Sequence, residues 1–546
     1  MLVSEAVGRA LVACGVDHVF GVVGSGNFHV TNAMVAAGAR FVATRHEGGA
    51  ATAADGYARV CGRPAAITVH QGCGFTNSLT GVAEAAKSRT PLVLIAPESV
   101  EPRSNFYVDQ EAMARSVGAV PHRVTSPSEA VAQTVAAVAE AVHGRRTVVL
   151  NLPLHVQEQD VPDGALDAVA LPPAPSPVVP SPQDVERLAD ALRAAQRPVF
   201  VVGRGGRTHA ARDAVRELAD RSGALLATSA VAKGLFHDHP WQLDVSGGFS
   251  SPLTAELVQG ADLIVGWGCA LNMWTMRHGR LIADGATVVQ VDDTADALGA
   301  HRELTFGVLG DVAATAAAAT DLLGERRTAY RRPEVGERLD KELRWRDVPY
   351  DDTGGDGRID PRTLSVALDD LLPAERVVSV DSGNFMGYPS MFLGVPDEEG
   401  FCFTQAFQSI GLGLATAIGA ALARPDRLPV AALGDGGALM AAAELDTVAR
   451  LGLPMLVVVY DDEAYGAEVH HFGPGGHDVG IVRFPETDIA AIGRGYGFEA
   501  VTVRTVEDLA PVRDWLASDT SGPMLVHAKV TSEEPSWWLE EAFRGH

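Results

Sequence analysis

Between Pro429 and His471 the chain reads PVAALGDGGALMAAAELDTVARLGLPMLVVVYDDEAYGAEVHH, and its carboxylates stand where they could hold a cation. Asp435 follows a short apolar run, Val430 to Leu433, inside Gly434-Asp435-Gly436-Gly437. The Asp461-Asp462 pair follows a second run, Leu456 to Tyr460, and a helical pattern from Met440 to Leu451 lies between the two. A strand, a glycine turn, a helix and a strand joined by a right-handed crossover place both strand ends at one carboxyl edge of a parallel sheet, where open α/β sheets bind ligands. Facing carboxylates repel unless a cation sits between them, and oxygen ligands beside a helix start suit a magnesium ion carrying phosphates. Glycines 434, 436 and 437 let backbone N–H groups approach phosphate oxygens. A bare Gly-Asp-Gly is equally compatible with a strand-end turn whose aspartate caps a helix.

Other reactive side chains also follow apolar runs. Glu47 comes just after Phe41 to Thr44 and opens a helix crowded with small residues from Gly48 to Ala58, which permits close packing of another helix or a ligand. Taken alone it is an N-terminal acid favoured by the helix dipole. His70 and Gln71 end the run Ala65 to Val69, ahead of the turn Gly72-Cys73-Gly74-Phe75-Thr76-Asn77. The loop Gly24-Ser25-Gly26-Asn27 is expected to face the same cavity, with Asn27 and His29 as weaker candidates. Glu468 lies six residues past Asp462, where helix direction aims it back over the strand end; a surface acid on an exposed turn is the alternative. His470 and His471 are candidates for the same entrance.

The elements that must position these residues alternate strand and helix throughout. Val19–Val23, Phe41–Thr44, Ala65–Val69, Leu92–Ala96 and Val148–Leu150 read as buried strands, followed by a proline-rich linker over 161–181. A second set comprises Val199–Val202, Ala224–Thr228, Leu263–Val265 and Val288–Val291, and a third begins near Asp360 with Val377–Val380. At 546 residues, 47% apolar, and with no apolar run of about 18 residues, the chain is expected to be a soluble α/β protein without a membrane span. Its amino terminus carries no basic leader, so a cytoplasmic location is expected. A net charge of −25 opposes nucleic-acid binding. Five scattered cysteines without C-x-x-C spacing suggest buried small apolar residues, not a zinc site or a disulfide framework.

Two segments together carry a resemblance. The stretch from Gly434 to Asp462, with an acidic pair 27 positions after Asp435, resembles the thiamine diphosphate motif, and RHEGGAATAADGYAR resembles the pyrimidine-binding segment of the acetolactate synthase and pyruvate decarboxylase superfamily. The resemblance implies three doubly wound parallel-sheet domains: pyrimidine-binding over 1–162, central over 182–325 and diphosphate-binding over 358–546. It implies thiamine diphosphate and Mg2+ as cofactors. Asp435 and Asp462 would be metal ligands through side-chain oxygens and Ala464 through its carbonyl; Gly434, Gly436, Gly437, Tyr465, Gly466 and Asn384 would surround the cofactor; Ile410 would wedge its two rings apart; and Glu47 would hydrogen-bond its aminopyrimidine. His70, Gln71 and Glu468 would be catalytic. The usual Asn-Asn is here Asp461-Asp462, which adds charge near the diphosphate. The segment Gly268–Trp274 lacks the arginine and aspartate pattern of flavin-binding synthases, so FAD is not expected.

The implied activity is decarboxylation of a 2-keto acid followed by carbon–carbon bond formation with a second carbonyl, as in acetolactate synthases, with a decarboxylase releasing an aldehyde as the alternative. A non-catalytic relative or regulatory partner is the reading from another class, and a flavin-dependent oxidase is a third. In such enzymes the two motifs meet across a subunit interface, which implies a homodimer or homotetramer acting on small keto acids or aldehydes, with no nucleic-acid or membrane partner.

Overall fold

The computed structural model describes residues 1–518 and 522–542. Three six-stranded sheets, every strand pair parallel, account for the alternating apolar runs. The first is built from β1 (His18–Gly21), β2 (Arg40–Ala43), β3 (Ala65–Thr68), β4 (Leu92–Glu98), β5 (Val120–Arg123) and β6 (Thr147–Pro153), in the order β2-β1-β3-β4-β6-β5. The second contains β7 (Pro198–Val202), β8 (Leu225–Thr228), β9 (Gln242–Val245), β10 (Leu263–Trp267), β11 (Thr287–Asp292) and β12 (Phe306–Leu309), in the order β12-β11-β10-β7-β8-β9. The third contains β13 (Arg376–Val380), β14 (Phe401–Phe403), β15 (Leu428–Gly434), β16 (Leu456–Asp461), β17 (Glu499–Val503) and β18 (Met524–Lys529). Its order, β14-β13-β15-β16-β18-β17, repeats that of the first sheet strand for strand.

This repetition decides where loops converge. In the third sheet the chain turns outward from β13 to β14 and then proceeds the other way from β15, so the crevice between the ends of β13 and β15 is a topological switch point. The loops 381–384 and 434–437 flank it. Register carries the geometry to the next strand: Gly434 pairs with Tyr460, so Asp435 and Asp461 leave adjacent strands at the same level. The residues following β3 in the first sheet, His70 and Gln71, occupy the place equivalent to Asp435.

The first and third sheets share one apolar core through the helices Glu47–Cys61 and Gly413–Ala423. The small residues of the first helix are there because the second packs backbone to backbone against it. A Cβ on Gly56 would lie 2.6 Å from the Thr416 carbonyl oxygen, and one on Gly419 would lie 2.0 Å from that of Ala53. Among the described residues no helix is long and apolar enough to cross a membrane.

Two expectations need correction. The segment Met440–Leu451 is not one helix: a short helix, Asp435–Met440, begins at the aspartate itself, and a second, Glu444–Leu451, follows after a turn. The alanine-rich pattern hides the break, which the Glu444 side chain accompanies by turning inward to accept backbone N–H groups from Arg45 and His46. The cysteines are not uniformly buried either: Cys14, Cys269 and Cys402 are, Cys61 is half-buried, and Cys73 is exposed.

Gly419→Ala is predicted to lower the melting temperature, because its methyl group must displace a backbone carbonyl, at a cost of about 1–3 kcal/mol. A thermal melt beside Gly495→Ala, a position with nothing within 4 Å of the added Cβ, checks this; the control is expected to move little.

Candidate active site

A cavity of about 1130 Å³ opens at the carboxyl edge of the third sheet, and its wall contains Asp435, Asp462, Ala464, Asn384, Ile410 and Glu468. Asp435 is the first residue of its helix and is only 7% exposed. Burial, then the nearby Asp462 and Asp461, push its pKa up to about 8. Asp462 is half-buried; burial and the neighbouring Asp461 push it up to about 7, although the Ala464 N–H donates to its Oδ1 at 3.3 Å. Among the described residues no lysine, arginine or histidine lies within ion-pair distance of either carboxylate.

Asp461 behaves differently from its neighbour. Its Oδ2 accepts His527 Nε2–H at 2.6 Å and Lys529 Nζ at 2.8 Å. Burial alone would raise its pKa, but these donors outweigh that and hold it below the usual carboxylate range. Of the acidic pair, therefore, only Asp462 is offered to the cavity. The next residue, Glu463, takes a left-handed backbone conformation with φ 57°. Its carboxylate is held by Lys529 at 3.0 Å and Arg358 at 2.8 Å, which fixes the bend that turns Asp462 and Ala464 toward the cavity.

Behind the two aspartates lies Asp381, fully buried at the end of β13. Its Oδ1 accepts the N–H groups of Ser382 at 2.8 Å and Leu412 at 3.2 Å, and its Oδ2 accepts Gly411 N–H at 3.0 Å. Burial nevertheless pushes its pKa up to about 6. These bonds join the turn after β13 to the turn at 410–412 and place Ile410 in the cavity wall. They also explain Gly437, where a Cβ would lie 2.2 Å from Asp381 Oδ2. Tyr465 packs its ring over Gly436, and Gly466 leaves room for Asp462 Oδ2. Asn384 shares its side chain with the C-terminal segment: its Oδ1 accepts Ser536 N–H at 3.2 Å, and its carbonyl accepts Trp538 Nε1–H at 2.9 Å. Trp538 thereby lines the cavity. Glu468 is exposed and reaches the wall from the first turn of helix Gly466–Phe472, whereas His470 and His471 are not part of it.

Glu47, His70 and Gln71 form a second constellation, and none of them lines that cavity. Glu47 begins the helix Glu47–Cys61 and accepts Asn77 Nδ2–H at 3.0 Å. His70 Nε2 lies 3.4 Å from Ser25 Oγ, and its ring meets Phe106 edge-on at 5.1 Å. Gln71 is buried with its Oε1 unpaired. Asn27 is not a ligand candidate facing a cavity: fully buried, it donates to the Val22 carbonyl at 3.1 Å and to Thr68 at 2.9 Å and accepts Gly24 N–H at 2.8 Å, so it pins its own loop. His29 is exposed.

Family models described as the N-terminal thiamine pyrophosphate-binding domain, the central domain and the C-terminal thiamine pyrophosphate-binding domain of thiamine pyrophosphate enzymes match residues 1–117, 185–319 and 381–528. The chain belongs to the thiamine pyrophosphate enzymes. It is 28% identical to a sulfoacetaldehyde acetyltransferase of Castellaniella defragrans over 94% of this chain and 90% of that protein. To the acetolactate synthase isozyme 2 large subunit of Escherichia coli K12 it is 26% identical, covering 98% and 97%. The solved Rhodococcus jostii RHA1 thiamine diphosphate-dependent 4-hydroxybenzoylformate decarboxylase has the same fold, with a TM-score of 0.83 at 21% identity over 98% of this chain and 100% of that one.

For a thiamine pyrophosphate enzyme the edge of the third sheet is well suited to a diphosphate, since the glycines that bring backbone close are already packed from behind by Asp381 and Tyr465. Asp381, Lys529 and Glu444 escaped the sequence reasoning. Each acts on partners far away in the chain, Asp381 on Gly411 and Leu412, Lys529 on Asp461 and Glu444 on Arg45 and His46.

Lys529→Met is predicted to destabilise the protein by about 3 kcal/mol, because it leaves Asp461 buried without its ammonium partner. Adding Asp461→Asn should recover part of the loss in a denaturant or thermal melt.

Proposed function

We propose that this protein is a thiamine diphosphate- and magnesium-dependent carboligase that decarboxylates a 2-keto acid and joins the remaining acyl unit to a second carbonyl. The observation that carries the reading is the pair Asp435 and Asp462, two carboxylates at the carboxyl edge of the third sheet that line one cavity with no basic side chain within ion-pair distance among the described residues. Two carboxylates and the Ala464 carbonyl are too few ligands for a bare cation. They match a magnesium ion whose other positions are taken by phosphate oxygens and water.

When bound, thiamine diphosphate supplies a thiazolium that takes up the electron pair released as carbon dioxide leaves. The chain supplies the rest. Asn384, Gly434, Gly436, Gly437, Tyr465 and Gly466 would hold the diphosphate end, and Ile410 would pack against the rings. Glu47 would hydrogen-bond the aminopyrimidine nitrogen, a role that requires its position. His70 and Glu468 would exchange protons with substrate, and Gln71, whose buried Oε1 is unpaired, would hydrogen-bond it. Because Glu47, His70 and Gln71 lie outside the cavity that Asp435 lines, we assign the complete site to two chains, each contributing one half, in a homodimer or homotetramer.

Carboligation is supported by the likeness to an acetolactate synthase and an acetyltransferase. Glu468, an acid in the cavity wall, favours the second reading: protonation of the remaining fragment and release of an aldehyde. No flavin is assigned to the central domain, and the purified protein is expected to be colourless.

Incubation with thiamine diphosphate, magnesium and pyruvate is expected to give carbon dioxide with acetolactate or acetoin, and Glu47→Ala is expected to give neither. Acetaldehyde alone supports the decarboxylase reading. A protein that binds no cofactor contradicts both.

A pH dependence follows from the carboxylates. Asp435 and Asp462 have folded-state pKa values near 8 and 7, above the ordinary 3.8, so the cation-free fold loses stability as pH rises through that window. A dication binds the deprotonated pair and reverses the loss. The rise in melting temperature produced by magnesium and thiamine diphosphate is therefore expected to be larger at about pH 8.5 than at about pH 6. Asp462→Asn should remove much of that difference.

A further inference from the structure

Glu444 lies in the diphosphate-side unit, yet its carboxylate is spent on the loop that carries Glu47. Its Oε1 accepts Arg45 N–H at 3.1 Å and His46 N–H at 3.0 Å, and its Oε2 accepts the Thr447 hydroxyl at 2.6 Å. The side chain is 3% exposed. Gly49 is shaped by the same contact, since a Cβ there would lie 2.4 Å from Glu444 Oε1. The loop is stitched to the same helix twice more: Arg45 Nε donates to Asp446 at 2.6 Å, and Arg450 donates to the Ala43 carbonyl. The two N–H groups precede Glu47 directly, at a helix start that has no helical acceptor for them. Without Glu444 they would be left unpaired in a half-buried place.

We propose that Glu444 is a positioning residue for Glu47, holding the peptide from Arg45 to His46 so that the Glu47 carboxyl is presented at a fixed place and direction. The inference rests on the reading above, in which Glu47 is the acid facing the aminopyrimidine. It has a consequence for the assembly. The helix Glu444–Leu451 follows the short helix Asp435–Met440 after one turn, so Glu444 is the buried one of three ties that join the Glu47 half-site to the diphosphate half-site of the same chain. With sites completed between chains, those halves serve different sites, and Glu444 is one rigid link between them.

The test compares wild type with Glu444→Ala, Glu444→Gln, Glu47→Gln and Asp446→Ala. Three quantities are read: amide hydrogen exchange over residues 44–49 in cofactor-free protein, the dissociation constant for thiamine diphosphate with magnesium, and the rate at which the C2 hydrogen of the bound cofactor exchanges with deuterium. In Glu444→Ala the amides should exchange at least about tenfold faster. C2 exchange should slow by about tenfold or more, while cofactor affinity changes less than about threefold, since misplacement by a fraction of an ångström costs rate before binding. Glu444→Gln keeps an oxygen acceptor for both N–H groups and should stay within about threefold of wild type in all three. Asp446→Ala, which removes the partly exposed ion pairs to Arg45 and Arg450 but none of the N–H groups' acceptors, should do the same. Wild-type C2 exchange in Glu444→Ala, with Glu47→Gln slow, overturns the positioning role and leaves the function standing. Fast C2 exchange in Glu47→Gln overturns the underlying reading, and the amide exchange then reports separately whether Glu444 holds the loop. Should Glu444→Ala fail to fold, Glu444→Asp, which keeps the charge but draws the acceptor back by one methylene, takes its place with the same expected split.

Discussion

Charge without a counter-charge governs this structure. Asp435 and Asp462 come together at the end of two adjacent parallel strands, largely out of water, and neither meets a basic side chain among the described residues. In a protein interior such an arrangement is costly unless the pair takes up protons or a cation. The surroundings limit the cost at the one carboxylate that the cavity does not need: Asp461 is turned back onto Lys529 and His527. The acidic pair that replaces the usual two asparagines is thus two residues with different fates. One is neutralised in the fold, and the other is kept for a ligand.

Holding that edge in place requires backbone to approach closely on several sides. Strand order puts the loops after β13 and β15 at a switch point; Asp381 ties the first to the turn that carries Ile410 and packs against Gly437 of the second. Lys529 and Arg358 hold Glu463 in its left-handed bend, which aims Asp462 and Ala464. Further away, the contact of Gly56 and Gly419 lets two helices join the first and third sheets at backbone distance. Glu444 then transmits that rigidity to the loop before Glu47. Apart from the Glu463 bend, which two basic side chains hold, these devices depend on a glycine or on a buried carboxylate that accepts main-chain N–H groups.

Much of this was legible in the sequence, because it is written in local patterns. Apolar runs marked many of the strands, and Gly434-Asp435-Gly436-Gly437 with Asp462 marked the edge that the cavity opens on. The crowding of small residues after Glu47 foretold a close helix partner. What the pattern could not show was direction and distant pairing. Alanine-rich sequence looks continuous through the break before Glu444, Asp461 and Asp462 look equivalent until Lys529 arrives 68 residues later, and Asn27 looks like a loop ligand until its amide is seen bound to Thr68 and Val22. Glu444 and Arg45 are about four hundred residues apart and are joined only by the tertiary fold.

The central claim is that each chain carries two half-sites which become whole sites only against another chain. Mixing tests it most directly. Glu47→Ala and Asp435→Ala proteins, each defective alone, are dissociated together, reassociated in equal amounts and assayed for bound thiamine diphosphate and turnover. Half-sites contributed by two chains predict recovery of about a quarter of the wild-type capacity, since half of the dimers are mixed and each mixed dimer holds one intact site. If the mixture stays as defective as its parents although mixed dimers have formed, the site lies within one chain and the account is wrong.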